Sequence, residues 1–261
     1  KFSRVEFDLS WFNITKDNLD ITSTPSQHRG LVTPAVSYIH DTSLWGIIAP
    51  ANGERYNLGL MASPKYNDDA LGFWTITADY RNYIRLWRNY TFAFRLVGGG
   101  SSGSDPQRFI IGGVDNWINR QFENNRFPID KPEDFVFLTS GIPLRGYNYA
   151  HRLGTKYAIV NMEFRFPLFG YLSAGPLPPF FQSFSGELFC DIGGAWTRAG
   201  DFKGMERNSA GDLYLQDMLV GAGYGVRMIF LGFLVKVDVA WPIDLQNSFA
   251  PKYYLSVGAD I

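Results

Sequence analysis

Residues 233–241 read FLVKVDVAW, and this alternation of apolar and charged residues decides the fold. Successive side chains of a β-strand point to opposite faces of a sheet, so the three valines share one face while Lys236 and Asp238 share the other. The same pattern recurs at residues 5–11 and 74–80. A closed sheet with this pattern is either a soluble barrel with its polar face outside or a membrane barrel with its polar face inside.

Composition favours the membrane barrel. Of the 261 residues, 16% are aromatic and only 19% are charged, and membrane barrels need aromatic side chains for their outer band and girdles. The net charge of −1 gives no indication of nucleic-acid binding. No run of about 18 apolar residues predicts a membrane-spanning helix. The three histidines are far apart and lack metal-ligand spacing, so we expect no metal.

The sequence predicts an all-β protein, because helical periodicity is hard to find and eleven segments alternate as strands do. Many are about 9 to 13 residues long, close to the length with which a tilted strand crosses a bilayer. The predicted strands are residues 4–13, 33–45, 55–63, 72–84, 88–98, 107–113, 156–166, 186–195, 219–230, 233–242 and 252–260.

Eleven is an odd number, whereas single-chain bacterial barrels have even strand counts. The sequence therefore predicts about 12 strands, with a missed strand within residues 18–24, or else the C-terminal part of a barrel of about 16 strands. Residues 5–11 already form a strand, so we expect residues 1–261 to be one outer-membrane β-barrel domain that is incomplete at its N-terminus. The longest predicted connection is the loop of residues 114–155.

A soluble β-sandwich is the main alternative fold, since its strands also alternate. Its edge strands should be protected by charge or proline, yet nearly every predicted strand here has a full apolar face. The opposite faces carry charges of both signs, among them Asp79, Arg81 and Arg95. Such residues can line the lumen of a membrane barrel and pair across it. The pattern therefore favours a bacterial outer-membrane barrel in contact with lipid and lipopolysaccharide.

Four short motifs in a fixed order narrow this prediction. They are RFIIGG at residues 108–113, LRGY at residues 144–147, NMEFRFP at residues 161–167 and LFCDIG at residues 188–193. Together they resemble the bacterial surface antigen family, the BamA-like outer-membrane assembly and translocation barrels. The resemblance extends over about half of the chain.

The resemblance implies a particular set of site residues. In that family an arginine-glycine-aromatic motif lies at the tip of a long loop folded back into the lumen, which here would be Arg145, Gly146 and Tyr147. The arginine would meet Glu163 on one strand and an aspartate on the next. The remaining residues of this predicted loop lock are those of the Phe-x-Asp-x-Gly motif: Phe189, Asp191 and Gly193.

The alternation of the strands agrees with this assignment independently. Glu163 and Arg165 fall on one face of their strand with Asn161, and Phe189 and Asp191 share a face of theirs. An arginine between two carboxylates in a partly desolvated lumen would be a strong, bidentate contact. Taken alone, the tripeptide at residues 145–147 would favour an ordinary turn, and it is the four motifs in order that make the assignment specific.

The same resemblance implies function. It predicts assembly, insertion or translocation of polypeptides at the outer membrane, without enzymatic chemistry, catalytic residues or cofactors. The expected partners are polypeptide substrates or other outer-membrane and periplasmic subunits, with no nucleic acid. Two alternatives remain, a structural membrane anchor in a larger complex and a passive pore. The last strand would close the barrel, with one face made of Tyr253, Leu255, Val257, Ala259 and Ile261.

Overall fold

The computed structural model of the chain is almost entirely β-sheet and describes residues 1–16, 27–125, 142–169, 179–198, 200, 202–247 and 249–258. Outside the strands, the described residues include a 3₁₀ turn at Glu123–Asn125 and a short helix at Pro179–Gln182. The strands are β1 (Phe2–Lys16), β2 (Gln27–Asp41), β3 (Leu44–Trp45), β4 (Pro50–Ser63), β5 (Phe73–Trp87), β6 (Tyr90–Gly103), β7 (Phe109–Ile111), β8 (Arg152–Gly154), β9 (Lys156–Pro167), β10 (Ser185–Trp196), β11 (Met205–Arg207), β12 (Leu213–Leu215), β13 (Leu219–Phe230), β14 (Phe233–Ile243) and β15 (Lys252–Val257).

Ten long strands form one antiparallel wall in the order β1-β2-β4-β5-β6-β9-β10-β13-β14-β15, and the short β3 pairs with β4. Neighbours in the wall are also neighbours in sequence once the short strands are set aside, as in an up-and-down barrel. Among the described residues, β1 pairs only with β2 and β15 only with β14, so the sheet ends at these two strands.

The two faces of the wall differ as the alternation predicts. On β14, Val237 is 43% exposed, while Lys236 and Asp238 are 7% and 4% exposed. The outward apolar face continues on β1, where Phe7 is 82% exposed and Trp11 75%. Apolar side chains thus point away from the interior of the sheet, and charged side chains line it. This is the arrangement of a membrane barrel and the reverse of that of a soluble barrel.

The connections alternate between the two ends of the wall. The β5–β6 and β13–β14 hairpins turn through residues 88–89 and 231–232, and this end is called the short-turn end. The opposite end carries the connections β4–β5, β6–β9, β10–β13 and β14–β15. One long connection, between β9 and β10, lies at the short-turn end and includes the helix Pro179–Gln182.

The predicted strand at residues 107–113 differs from the structure. Only Phe109–Ile111 is extended, and it pairs with β8 rather than with a wall strand. All three of its side chains are buried, so it has no face that could meet lipid. Gly112 and Gly113 follow with positive φ angles of 117° and 79°, which end the strand. The further strand expected within residues 18–24 lies outside the described residues.

The core lies between the wall and the loop that connects β6 to β9. Ile111 and Leu144 from this connection pack with Val97 and Ile159 of the wall in one buried cluster. A second cluster joins Trp117 of the same connection to the wall. Loop side chains therefore fill the interior of the sheet. The part of the chain that the structure describes contains no helix that could span a bilayer.

The outward orientation of β14 gives a prediction. Replacing Val237 by Arg puts a charge against the hydrocarbon of a bilayer and should lower the free energy of unfolding by about 2 to 4 kcal/mol. Urea unfolding in lipid vesicles, followed by heat-modifiable electrophoretic mobility, measures this loss. The control is Leu245→Arg, an equally large charge introduced at an exposed position outside the strands. Equal stability of the two variants would contradict a lipid-facing Val237.

Candidate functional site

Arg145 lies at the tip of the loop between β6 and β9 and is buried against the wall. Its guanidinium group donates two hydrogen bonds to Asp191 of β10, with Nε 2.7 Å from Oδ2 and Nη2 2.8 Å from Oδ1. The backbone N–H of Arg145 donates to the same Oδ2 at 2.9 Å. Asp191, which is fully buried, thus accepts three hydrogen bonds from one loop residue.

Two further carboxylates and one aromatic ring surround the same guanidinium. Nη1 of Arg145 lies 2.9 Å from Oε1 of Glu163 on β9 and 3.3 Å from Oε1 of Glu187 on β10. The guanidinium carbon lies 3.7 Å from the centre of the Phe189 ring, a cation–π distance. One loop side chain therefore contacts two adjacent wall strands through four residues.

The carboxylates are themselves balanced by wall arginines. Arg165 and Arg227 bond Oε2 of Glu163 at 2.6 Å and 3.0 Å, and Arg227 also pairs with Glu187. The cluster holds three arginines and three carboxylates, so its formal charge is zero. This balance matters because an unpaired charge at this depth would carry a large desolvation penalty.

Gly146 and Tyr147 hold the loop tip to the far side of the site. The backbone N–H of Gly146 donates to the hydroxyl of Tyr254 on β15 at 2.8 Å, and that hydroxyl donates to the carbonyl of Tyr147 at 2.9 Å. The Tyr147 hydroxyl reaches the backbone of Val220 on β13 at 3.1 Å. The three residues of the tip thus connect β9 and β10 to β13 and β15.

Two glycines make this close approach possible. Gly146 has a φ of +99°, a backbone conformation that favours glycine. Gly221 of β13 lies directly under the loop, where a Cβ would collide with the carbonyl oxygen of Arg145. The alternation of β13 does not predict this contact of Gly221, because the contact is with a residue 76 positions earlier.

The surroundings of Arg145 fix its charge. Burial alone would lower the pKa of its guanidinium, but the carboxylates of Asp191 and Glu163 outweigh burial and raise that pKa well above its usual value. Arg145 therefore stays positively charged in the folded protein.

The structure brings Arg145, Glu163, Asp191 and Phe189 together, and Gly193 lies further along β10, against Ala158 and Ile159 of β9. Glu187, Arg227 and Tyr254 also belong to the site but were not among the predicted site residues. The alternation along the strands could have indicated these three residues, since each occupies an inward position of its strand. The predicted face of the closing strand lies partly within the described residues. On β15, Tyr253, Leu255 and Val257 point to the face opposite to that of Tyr254, while Ala259 and Ile261 lie outside the described residues.

The strands and loop that form this site match a known family. A sequence model of the Omp85 superfamily domain matches residues 43–258. The chain belongs to the Omp85 superfamily. Among solved structures, this Omp85 chain is similar to the crystal structure of BamA from Haemophilus ducreyi lacking POTRA domains 1–3, with a TM-score of 0.57 and 14% sequence identity. The match covers 89% of this chain and 43% of the BamA chain. No curated protein sequence matches the chain.

These comparisons agree with the orientation of the wall. The Omp85 chain is an antiparallel transmembrane β-barrel protein of the bacterial outer membrane, as the alternation and the four motifs predicted. It spans less than half the length of the BamA structure. Within the described residues, no three His, Cys, Asp or Glu side chains are grouped as metal ligands would be.

The buried ion pairs give a first prediction for the site. Arg145→Ala leaves Asp191 without its charged partner, and we expect a loss of about 3 to 5 kcal/mol in the free energy of unfolding. Arg4→Ala is the matched control, since Arg4 pairs with Glu6 on the exposed surface and should lose less than about 1 kcal/mol. Urea unfolding in vesicles measures both variants. Similar losses in both would argue against a buried lock.

The tight contact at Gly221 gives a second prediction. Gly221→Ala puts a methyl group where the Arg145 carbonyl lies, so the loop tip must move away from β13. We expect faster proteolysis of the loop and a lower folded fraction, both visible by electrophoresis. Gly204→Ala is the control, because a Cβ there meets only ordinary contacts, with Phe202 at 3.7 Å. A Gly221→Ala protein as resistant to protease as the control would contradict this account.

Proposed function

We propose that this Omp85 chain takes part in assembling, inserting or translocating polypeptides at the outer membrane, by pairing an incoming strand with the edge of β15 that faces away from β14. The observation that carries the proposal is the state of that edge. The backbone N–H and C=O of Leu255 point away from β14 and bond side-chain and backbone groups of a loop instead of a second wall strand.

The weak attachment of β15 supports this role. Among the described residues, which end at 258, β15 pairs with β14 through six residue pairs, from Val235 opposite Val257 to Ala240 opposite Lys252, whereas β1 and β2 share fifteen. Hydrocarbon cannot satisfy the backbone groups of a sheet edge, so these groups of β15 must pair either with the loop or with an added strand. Strand addition to an exposed edge is a general mode of peptide recognition. The step requires exchange of hydrogen bonds and no covalent chemistry.

In this proposal the loop of residues 114–155 is a lock that stiffens the wall beside the edge. Its tip joins β9 and β10 through Arg145 and reaches β15 through Tyr254. If the wall is rigid at β9 and β10 and only weakly paired at β15, the sheet would open most easily at β15. Outer-membrane and periplasmic subunits would deliver the polypeptide, because short turns of such barrels face the periplasm.

The two alternatives make different demands on the interior. A passive pore needs an open lumen with unpaired charges, whereas here Arg145 and the wall charges pair with one another and loop side chains pack into the core. A structural anchor needs only a stable outer surface, so it places no requirement on the edge of β15. The experiment below therefore separates assembly from anchoring, and conductance in planar bilayers tests the pore.

The test uses the chain reconstituted in lipid vesicles. A small outer-membrane barrel unfolded in urea is added, and its folding is followed by heat-modifiable mobility. We expect folding to be at least about tenfold faster than in empty vesicles, because the edge provides a template for the first strand. Folding at the rate seen in empty vesicles would reject the assembly role and leave the anchor.

Leu255→Pro refines the test, because it removes the N–H that faces the open edge while leaving the ladder to β14 intact. We expect this variant to remain folded and to lose most of the acceleration. Leu255→Val keeps the N–H and is the matched control, with activity near that of the unmodified chain. Equal activity of the proline and valine variants would mean that the incoming strand does not pair at this position.

A further inference from the structure

The edge of β15 already has an occupant, a segment of the long loop at residues 117–119, here called the edge segment. The N–H of Ile118 donates to the carbonyl of Leu255 at 2.8 Å. Trp117 and Ser256 form an antiparallel bridge. The edge segment therefore lies along β15 as the beginning of an antiparallel strand would.

Asn119 completes the pairing with its side chain in place of a peptide group. Its Oδ1 accepts a hydrogen bond from the N–H of Leu255 at 3.0 Å, and its Nδ2 donates to the carbonyl of Tyr253 at 3.2 Å. A side-chain amide has the same acceptor and donor as a backbone peptide unit. It satisfies both edge groups without extending the backbone ladder any further.

The side chains of the edge segment alternate as those of a wall strand do. Trp117 is buried and its ring centre lies 4.7 Å from that of Tyr254, on the inner face. Ile118 is exposed on the opposite side. The segment thus presents an aromatic residue inward and an aliphatic residue outward.

We propose that the edge segment is a resident mimic of the strand that docks on β15, and that an incoming strand must displace it. This inference rests on the proposed function, because it names what that edge accepts. The partner is an extended polypeptide strand with an aromatic side chain at the position opposite Ser256 and an aliphatic one next to it. A backbone peptide group of the partner takes the place of the Asn119 amide.

The short length of the mimic makes displacement favourable. The edge segment forms three hydrogen bonds with β15, whereas a full strand continues the ladder along the whole edge. Until that strand arrives, the segment covers backbone groups that would otherwise pair with any exposed chain. The loop tip stays in place during the exchange, because Arg145 is held by β9 and β10 rather than by β15.

Amide hydrogen exchange tests the occupancy without any assembly activity. Asn119→Ala removes the acceptor of the Leu255 N–H, and we expect that amide to exchange at least about tenfold faster. Asn247→Ala is the control, since Asn247 is exposed and bonds Asp244 away from the edge. Unchanged protection at Leu255 in the Asn119→Ala protein would overturn the mimic.

A binding measurement tests the chemistry of the partner. The probe is a fluorescent peptide with the sequence of residues 115–121, compared with the same peptide carrying alanine in place of the tryptophan. We expect the tryptophan peptide to bind the Asn119→Ala protein at least about fivefold more tightly than the alanine peptide. It should bind the unmodified chain weakly, because the edge is occupied. Equal affinity of the two peptides would overturn the aromatic requirement.

A reversible cross-link tests displacement itself. Trp117→Cys and Ser256→Cys, in a Cys190→Ser background, join the two bridged positions through a disulfide. We expect the oxidised protein to lose the acceleration of barrel folding and the reduced protein to regain it. Equal rates in both states would overturn displacement. If the unmodified chain gives no acceleration, the proposed function fails instead, and the exchange and binding measurements alone decide the mimic.

Discussion

A buried positive charge constrains the whole structure. Arg145 must be paired wherever it is removed from water, and its partners Asp191, Glu163 and Glu187 come from two adjacent wall strands. Those carboxylates in turn require Arg165 and Arg227. The position of the loop tip, the register of β9 with β10 and the packing of the interior all follow from satisfying these charges together.

Tyr254 connects this charged cluster to the end of the sheet. Its hydroxyl bonds the loop at Gly146 and Tyr147, while its ring contacts Trp117 from another part of the same loop. The loop therefore holds β15 at two places, one through the tip and one through the edge. The first contact is tied to the buried arginine, and the second is the one that we propose an incoming strand displaces.

The strands of the wall could be predicted from the sequence, because the two-residue alternation of apolar and polar side chains is a local property. It is visible in residues 233–241 without knowledge of the neighbouring strands. Sequence reasoning brought Arg145, Glu163 and Asp191 into one hypothesis because of ordered motifs. It did not find Tyr254, nor which loop residue contacts Gly221, because these contacts join residues more than 70 positions apart. Residues 109–111 were predicted as wall because a buried inner strand and a membrane strand look alike over so short a length.

The contact between the backbone N–H of Arg145 and Asp191 has a consequence for biogenesis. Asp191 is covered by the backbone of the loop tip. A tip that entered an already closed barrel would have to carry the unpaired charge of Arg145 through a packed interior. We therefore expect the loop tip to dock on β9 and β10 before the sheet closes.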